Sequence, residues 1–377
     1  MVKNLRYILL LSFICICITD SIIEIPIKTV NVESNPKLGD IKINGHSIGI
    51  RNYKGKMGKI YLSNKIYICT IGLGSKKQRF DLILDTGSYE MWVPKVGSKD
   101  QYKMKHHYDP SKSDTAVNTR QPFNIRYGTG ACSGYRYYDY VTYVGKKKFK
   151  MLFGAADQTV LQGNDGIIGL GHQYENIELS FIEMLKKGGI TTSRAFSFKF
   201  ERGIADGTPG KLLIGRHRDF QNSNCVKIGL DRNTIFWRGQ VNGIALKNSR
   251  SQASSNRKYK FIFDTGTNIN IIPMEYLRDM QNQINALNCQ VSRLESYQAV
   301  VCGNRNDVPD LKLKIGGKTV TIPKEYNIFA NEQGRYITSV FFAQGQQEYI
   351  IGSYLMMSYH TLHDKDTESM TFCPLNR

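Results

Sequence analysis

The sequence predicts an all-β fold made of two related lobes, with a few short helices and a central cleft. Three observations predict it. First, a short signature occurs twice, as Asp85-Thr86-Gly87-Ser88 and Asp264-Thr265-Gly266-Thr267, 179 residues apart. Second, each copy follows a strand-like apolar run, Phe80-Asp81-Leu82-Ile83-Leu84 in one case and Phe261-Ile262-Phe263 in the other. Third, short runs of Ile, Val, Thr, Tyr and Phe alternate with glycine-bearing turns, and helical periodicity is scarce. A strand that stops at Asp-Thr-Gly presents a carboxylate at its end and turns sharply at glycine. Two such ends in two similar half-molecules can bring their carboxylates to one cleft.

The elements follow in chain order. Lys3 and Arg6 precede an apolar stretch, Tyr7 to Ile18, which has the pattern of a secretory leader with processing near Thr19 or Asp20. The stretch is short for spanning a bilayer. From residue 20 to 57 runs a basic segment with Lys28, Lys37, Lys42, Arg51 and Lys54. Ahead of a two-carboxylate cleft it reads as a removable propeptide. Lys54, with Tyr53, is the candidate plug, because an ammonium beside two carboxylates holds both charged. Ile66–Ile71 and Arg79–Leu84 flank Gly72-Leu73-Gly74-Ser75 and read as a hairpin. Lys146-Lys147-Lys148 reads as another hairpin tip. Leu179–Leu185, stopped by Gly188-Gly189, and Met274–Met280, after Pro273, read as short helices. Ser249–Lys260 is polar and reads as an exposed loop. The lobes are expected at 58–220 and 221–377.

Composition bounds the possibilities. The 377 residues suffice for two cores, and 41% hydrophobic with 11% aromatic residues excludes a disordered chain. The formal charge is +19, and residues 56–377 retain +16 of it, so the excess is not confined to the leader. A basic exterior attracts anionic membranes or acidic proteins. A solvated, lysine-studded surface is the simpler account of the charge, and no basic region with interleaved aromatics resembles a nucleic-acid motif. No nucleic-acid partner is expected. Beyond Cys15 and Cys17 in the leader, six cysteines remain, an even number that favours disulfides in a secreted chain. Their spacing is unlike a zinc site. His106-His107 lies before Tyr108-Asp109-Pro110-Ser111, which reads as a solvated turn, and His360 with His363 has a spacing suited to a helix face; neither is read as a metal site, and no metal and no cofactor are expected. There is no Asn-x-Ser/Thr acceptor.

From about Ile60 onward the chain resembles the pepsin-like eukaryotic aspartic proteases. The motifs are ordered. Asp85 to Pro94 is similar to the family's DTGSxxLWVP, Tyr127-Gly128-Thr129-Gly130 to its flap, and Asp165–Gly171 and Tyr349–Gly352 to its two glycine crossings. Pro309-Asp310-Leu311, Ile322-Pro323 and Tyr326 match its late pattern. The composition also resembles that of the plasmepsin and cathepsin D-like group. The resemblance implies a bilobal fold, an aspartic endopeptidase made as a zymogen in the secretory pathway, and polypeptide substrates cut between large apolar residues. A monomer is expected.

It also implies residue roles. Asp85 and Asp264 form the catalytic dyad. Thr86 and Thr265 tie the two loops together, Gly87 and Gly266 make the turns, and Ser88 and Thr267 orient the carboxylates. Tyr127, Gly128 and Thr129 close over substrate, and Trp92 supports the tyrosine. Cys289–Cys302 matches the family's remaining bridge. The other four cysteines allow three pairings, of which Cys69–Cys132 within the first lobe with Cys225–Cys373 within the second is the one taken as the expectation. The departures are Asn268 where Ser or Thr is usual, Ser353 where Asp is usual, and Leu355 and His363 in place of phenylalanines. The rival reading is a non-catalytic pepsin-like protein that uses the cleft to hold a peptide or partner.

Overall fold

The computed structural model describes residues 23–31, 40–43, 46–49, 61–62, 65–101, 103–127, 130–143, 147–161, 165–172, 176–200, 209–221, 223–246, 259–294, 297–332, 335–345 and 349–375. The leader, Tyr53, Lys54, Gly128, Thr129 and most of the 249–260 loop lie outside them.

The first half contributes β1 (Ile23–Asn31), β2 (Lys65–Leu73), β3 (Gln78–Asp85), β4 (Trp92–Asp100), β5 (Val117–Tyr127), β6 (Gly130–Tyr143), β7 (Lys147–Thr159), β8 (Ile167–Gly169), α1 (Phe181–Lys187), β9 (Ala195–Phe200) and β10 (Pro209–Ile214). The second contributes β11 (Val226–Gly229), β12 (Arg238–Val241), β13 (Tyr259–Phe263), β14 (Asn270–Pro273), α2 (Met274–Asn285), β15 (Cys289–Leu294), β16 (Tyr297–Cys302), β17 (Arg335–Ala343), β18 (Tyr349–Ile351), α3 (Tyr354–Ser358), β19 (Tyr359–Asp364) and β20 (Ser369–Pro374).

A thirteen-stranded sheet runs β11-β20-β19-β9-β10-β1-β2-β3-β8-β4-β7-β6-β5, and the spine of a nine-stranded sheet runs β12-β13-β18-β14-β17-β16-β15. The two sheets repeat one motif. In the first, β8 lies parallel to β3, with Gly169 opposite Asp85, and antiparallel to β4. In the second, β18 lies parallel to β13 and antiparallel to β14. Each repeat ends its first strand at the signature aspartate or one residue before it. The mostly β, two-halved prediction therefore holds.

The connections follow from local chemistry. The β2–β3 turn places Gly74 at φ 76°, where a Cβ would lie 2.6 Å from Ser113 Oγ. Ser180 Oγ accepts from Glu183 N and starts α1. Pro273 precedes α2, which buries Tyr276, Leu277, Met280 and Ile284 on one face.

Two pairings cross the expected boundaries. β1, which falls within the 20–57 segment, is an interior strand between β10 and β2 and buries Ile23, Ile25 and Ile27. β19, from the 221–377 segment, pairs with β9 of the first half, Ala195 opposite Asp364. One hydrophobic cluster accordingly spans both halves, joining Phe196, Trp237, Phe263 and Phe372.

The cysteines need one correction. Cys225–Cys373 and Cys289–Cys302 are disulfides, whereas Cys69 and Cys132 are free and buried. Cys69 belongs to the cluster shared by the two halves, and Cys132 to a separate one beneath Tyr127. The β-sheet holds these two thiols in different layers, which sequence parity cannot reveal.

Candidate active site

Both signature loops end in the same hydrogen-bonded lock. Thr86 N donates to Thr265 Oγ1 and Thr265 N to Thr86 Oγ1, each at 2.9 Å. The two hydroxyls then donate onward across the interface, Thr86 Oγ1 to Phe263 O (2.8 Å) and Thr265 Oγ1 to Leu84 O (2.7 Å). Each buried hydroxyl both donates and accepts across the interface, which fixes the mutual position of the two loops.

That position brings Asp85 and Asp264 together. Gly87 N donates to Asp85 Oδ1 (2.8 Å), and Gly266 N to Asp264 Oδ1 (2.7 Å). The glycines lie across the pair: a Cβ on Gly87 would sit 2.6 Å from the Asp264 carboxyl, and one on Gly266 would sit 2.4 Å from Asp85 Oδ1. Each carboxyl therefore abuts the loop that carries the other. Asp85 is buried and Asp264 half-buried. Burial raises the Asp85 pKa, against a lowering hydrogen bond from Ser88. Burial also lifts Asp264 well above the usual carboxylate range, and the Asp85 charge adds to it. Two carboxyls in this arrangement hold one proton between them, because the second charge would form beside the first.

Ser88 extends the site outward. Its Oγ donates to Asp85 Oδ2 at 2.6 Å. Tyr127, at the end of β5, accepts from Trp92 Nε1 at 2.8 Å. Trp92 thus fixes Tyr127, as Ser88 fixes Asp85. Burial keeps the Tyr127 hydroxyl protonated, with the neighbouring Cys132 and Asp85 adding to the shift. Tyr127 pairs with Gly130 across the hairpin, and Gly128 and Thr129 at its tip lie outside the described residues. Thr267 gives its carbonyl to Ser353 N at 2.7 Å.

The glycine crossings are steric requirements. A Cβ on Gly169 would meet Tyr89 C at 2.4 Å, and one on Gly352 would meet Ile269 O at 2.5 Å. Ser353 is fully buried, and its carbonyl accepts from Tyr67 Oη. Tyr67 and Trp237 are core residues, as their aromatic neighbours Phe198 and Phe196 attest.

The histidines have partners that the sequence does not reveal. His106 and His107, just ahead of the turn at Tyr108–Ser111, each have a partly exposed ring backed by a buried carboxylate, Asp165 at 2.6 Å and Asp100 at 3.5 Å. His363 is fully buried, stacked on Phe196 at 4.6 Å and edge-on to Trp237 at 4.9 Å. Among the described residues, no group of three or more His, Cys, Asp and Glu could hold a metal ion. No described helix is long and apolar enough to cross a membrane. Sequence reading also passed over Glu90, buried beside the site and paired with Arg136. Its signal is a carboxylate inside the otherwise uncharged Ser88-Tyr-Glu-Met-Trp92 run.

Comparison with known proteins follows the same lines. The family model described as eukaryotic aspartyl protease matches residues 66–375. Cathepsin D of Mus musculus is 26% identical over 94% of this chain and 88% of its own length. Gastricsin of Cavia porcellus is 26% identical over 79% of this chain and 77% of its own. Pepsin A of Suncus murinus is 27% identical over 82% of this chain and 81% of its own. Among solved structures, the aspartic proteinase from Irpex lacteus superposes with a TM-score of 0.67 at 18% identity, covering 85% of this chain and 97% of that one.

Proposed function

The chain belongs to the eukaryotic aspartyl protease family, and on that premise we propose that it is an endopeptidase whose water is activated by Asp85 and Asp264. One observation carries the proposal: the reciprocal Thr86–Thr265 lock sets two carboxyls side by side at the junction of the two halves, each pressed against the glycine of the opposite loop. One carboxyl, protonated, donates to the scissile carbonyl. The other, ionised, takes a proton from water as the water attacks. The tetrahedral intermediate is protonated on nitrogen and collapses to two peptides. Neither a metal nor a covalent intermediate is required.

The substrate is a polypeptide lying in the cleft under Tyr127. Large apolar side chains beside the cut bond suit the surroundings of that residue, where Ile125 and Tyr127 pack on buried Phe123, Leu161 and Ile167. The chain is made as a zymogen on the secretory route, with residues 1–19 as leader and 20–57 as propeptide; because β1 of that segment fills an interior place between β2 and β10, its removal requires another segment to take that place. Lys54 beside the dyad would hold both aspartates charged and block the shared-proton state. Support for the route comes from the leader-like start and the two disulfides.

The test uses purified proform in mild acid with a peptide bearing an apolar–apolar scissile bond. Cleavage is expected from the wild type and is abolished by Asp85→Asn, by Asp264→Asn and by a statine-type inhibitor. Activity falls as pH rises and the shared proton is lost, since the raised dyad pKa values set the alkaline limit. A folded, propeptide-free chain that cuts nothing between neutral and acid pH is instead a peptide-binding relative.

A further inference from the structure

Glu90 carries a carboxylate in a place where water cannot reach it: the residue is 1% exposed. A buried charge must be paired and hydrogen-bonded to be tolerated. Its partner is Arg136 on β6, which donates from Nε to Oε1 at 2.7 Å and from Nη2 to Oε2 at 2.9 Å. This is the forked geometry that a guanidinium supplies and an ammonium does not. The third donor, Nη1, reaches Pro122 O on β5 at 3.1 Å. Arg136 therefore grips both strands of the hairpin that carries Tyr127.

The backbone on either side is equally constrained. The peptide at Tyr89–Glu90 lies against the Gly169 crossing, where even a Cβ would clash at 2.4 Å, so Glu90 has no freedom to retreat. On the hairpin, the β5–β6 register shifts between Asn118 and Pro122. Arg120 in that bulge has φ 59°, and Thr119 Oγ1 donates to Arg136 O at 2.8 Å. The bulge wraps Arg136 and fixes where its side chain leaves the sheet.

The active-site loop thus holds the hairpin at two points. Near the tip, Trp92 Nε1 holds Tyr127 Oη. Near the base, roughly 20 Å away at ~3.3 Å per residue, Glu90 holds Arg136. We propose that Glu90 and Arg136 are a positioning pair: they anchor the base of the flap hairpin to the loop that carries Asp85, and so set the height of Tyr127 over the dyad. The proposal rests on the protease reading for its kinetic consequence, but its geometric content stands apart from turnover.

The test compares wild type with Arg136→Lys, Glu90→Gln and the double variant Glu90→Gln/Arg136→Met. The double variant removes both charges and leaves no unpaired ion in the interior, a change that buried pairs often tolerate. Two readouts are taken: kcat and KM on an extended peptide, and amide exchange of segments 117–143 and 270–302 by mass spectrometry. Arg136→Lys and the double variant are expected to raise KM about tenfold with a smaller change in kcat, as misplaced closure costs binding geometry. Exchange should accelerate in 117–143 and stay at the wild-type rate in 270–302. Wild-type KM with wild-type exchange in 117–143 overturns the proposal. So does protection lost evenly across both segments, which would mark a purely structural pair. If the wild type cuts no peptide, the protease reading fails, and the exchange comparison still decides the anchoring.

Discussion

Gly87 and Gly266 are the residues with least tolerance for change, because each presses its backbone against the opposite aspartate. Gly87→Ala and Gly266→Ala would each drive a methyl group into a carboxyl at under 3 Å. Each is expected to lower kcat/KM by about a hundredfold while the chain still folds, measured by peptide cleavage alongside circular dichroism. His363 makes the opposite kind of prediction. Burial, with a smaller contribution from His172, pushes its pKa down to about 3. Between that value and the unfolded value near 6.5, the unfolded chain binds a proton that the folded chain refuses, so stability falls as pH drops through the window. At pH 4 the loss is on the order of 3 kcal/mol. His363→Phe keeps the stack on Phe196 without a titrating ring. It should raise the melting temperature clearly at pH 4 and much less at pH 7.5. A gain equal at both pH values would place the effect in packing alone.

Among the elements, β1 has the most consequential position. It lies in the segment read from sequence as removable, yet it fills an interior place between β2 and β10. A chain beginning at Gly58 would lose the burial of Ile23, Ile25 and Ile27, worth about 1.5–3 kcal/mol each, and would open two strand edges. Such a chain is expected to unfold at lower urea concentration than the full chain, or to aggregate. An unchanged midpoint would mean that another segment takes over the strand's place. The sequence made the β2–β3 hairpin legible through its glycine turn, and both main helices through Pro273 and the Gly188-Gly189 stop. The pairing of β1 was not legible, because a strand's partners are set by distant residues and leave no trace in its own alternation.

At the scale of the whole molecule, the two halves meet through β9 and β19, the shared core and the threonine lock. Thr86→Val and Thr265→Val each remove a hydroxyl and leave the partner's buried N–H unsatisfied, at a cost of about 1–3 kcal/mol. Since the two hydroxyls belong to one network, the double variant should cost less than the sum of the singles. A double-mutant cycle in urea measures this, and strict additivity would mean that the lock does not act as a unit. The basic exterior belongs to this scale too, and it bears on association and solubility but not on the fold.

The sequence by itself determined the β-rich class, the duplication, the two aspartates with their Thr-Gly neighbours, Tyr127 with Trp92, and the Cys289–Cys302 bridge. The β-rich class and each Asp-Thr-Gly signature are legible in residue types at short spacing, which physical chemistry constrains strongly; Tyr127 with Trp92 and the Cys289–Cys302 bridge were legible only through the family resemblance. Only the tertiary structure decided that Cys69 and Cys132 stay apart, that His106 and His107 rest on buried carboxylates, that His363 is enclosed by aromatic rings, and that Glu90 meets Arg136. In each case the deciding quantity is a distance between residues far apart in the chain. That distance is fixed by how the sheets stack and where burial forces a polar group to find its partner.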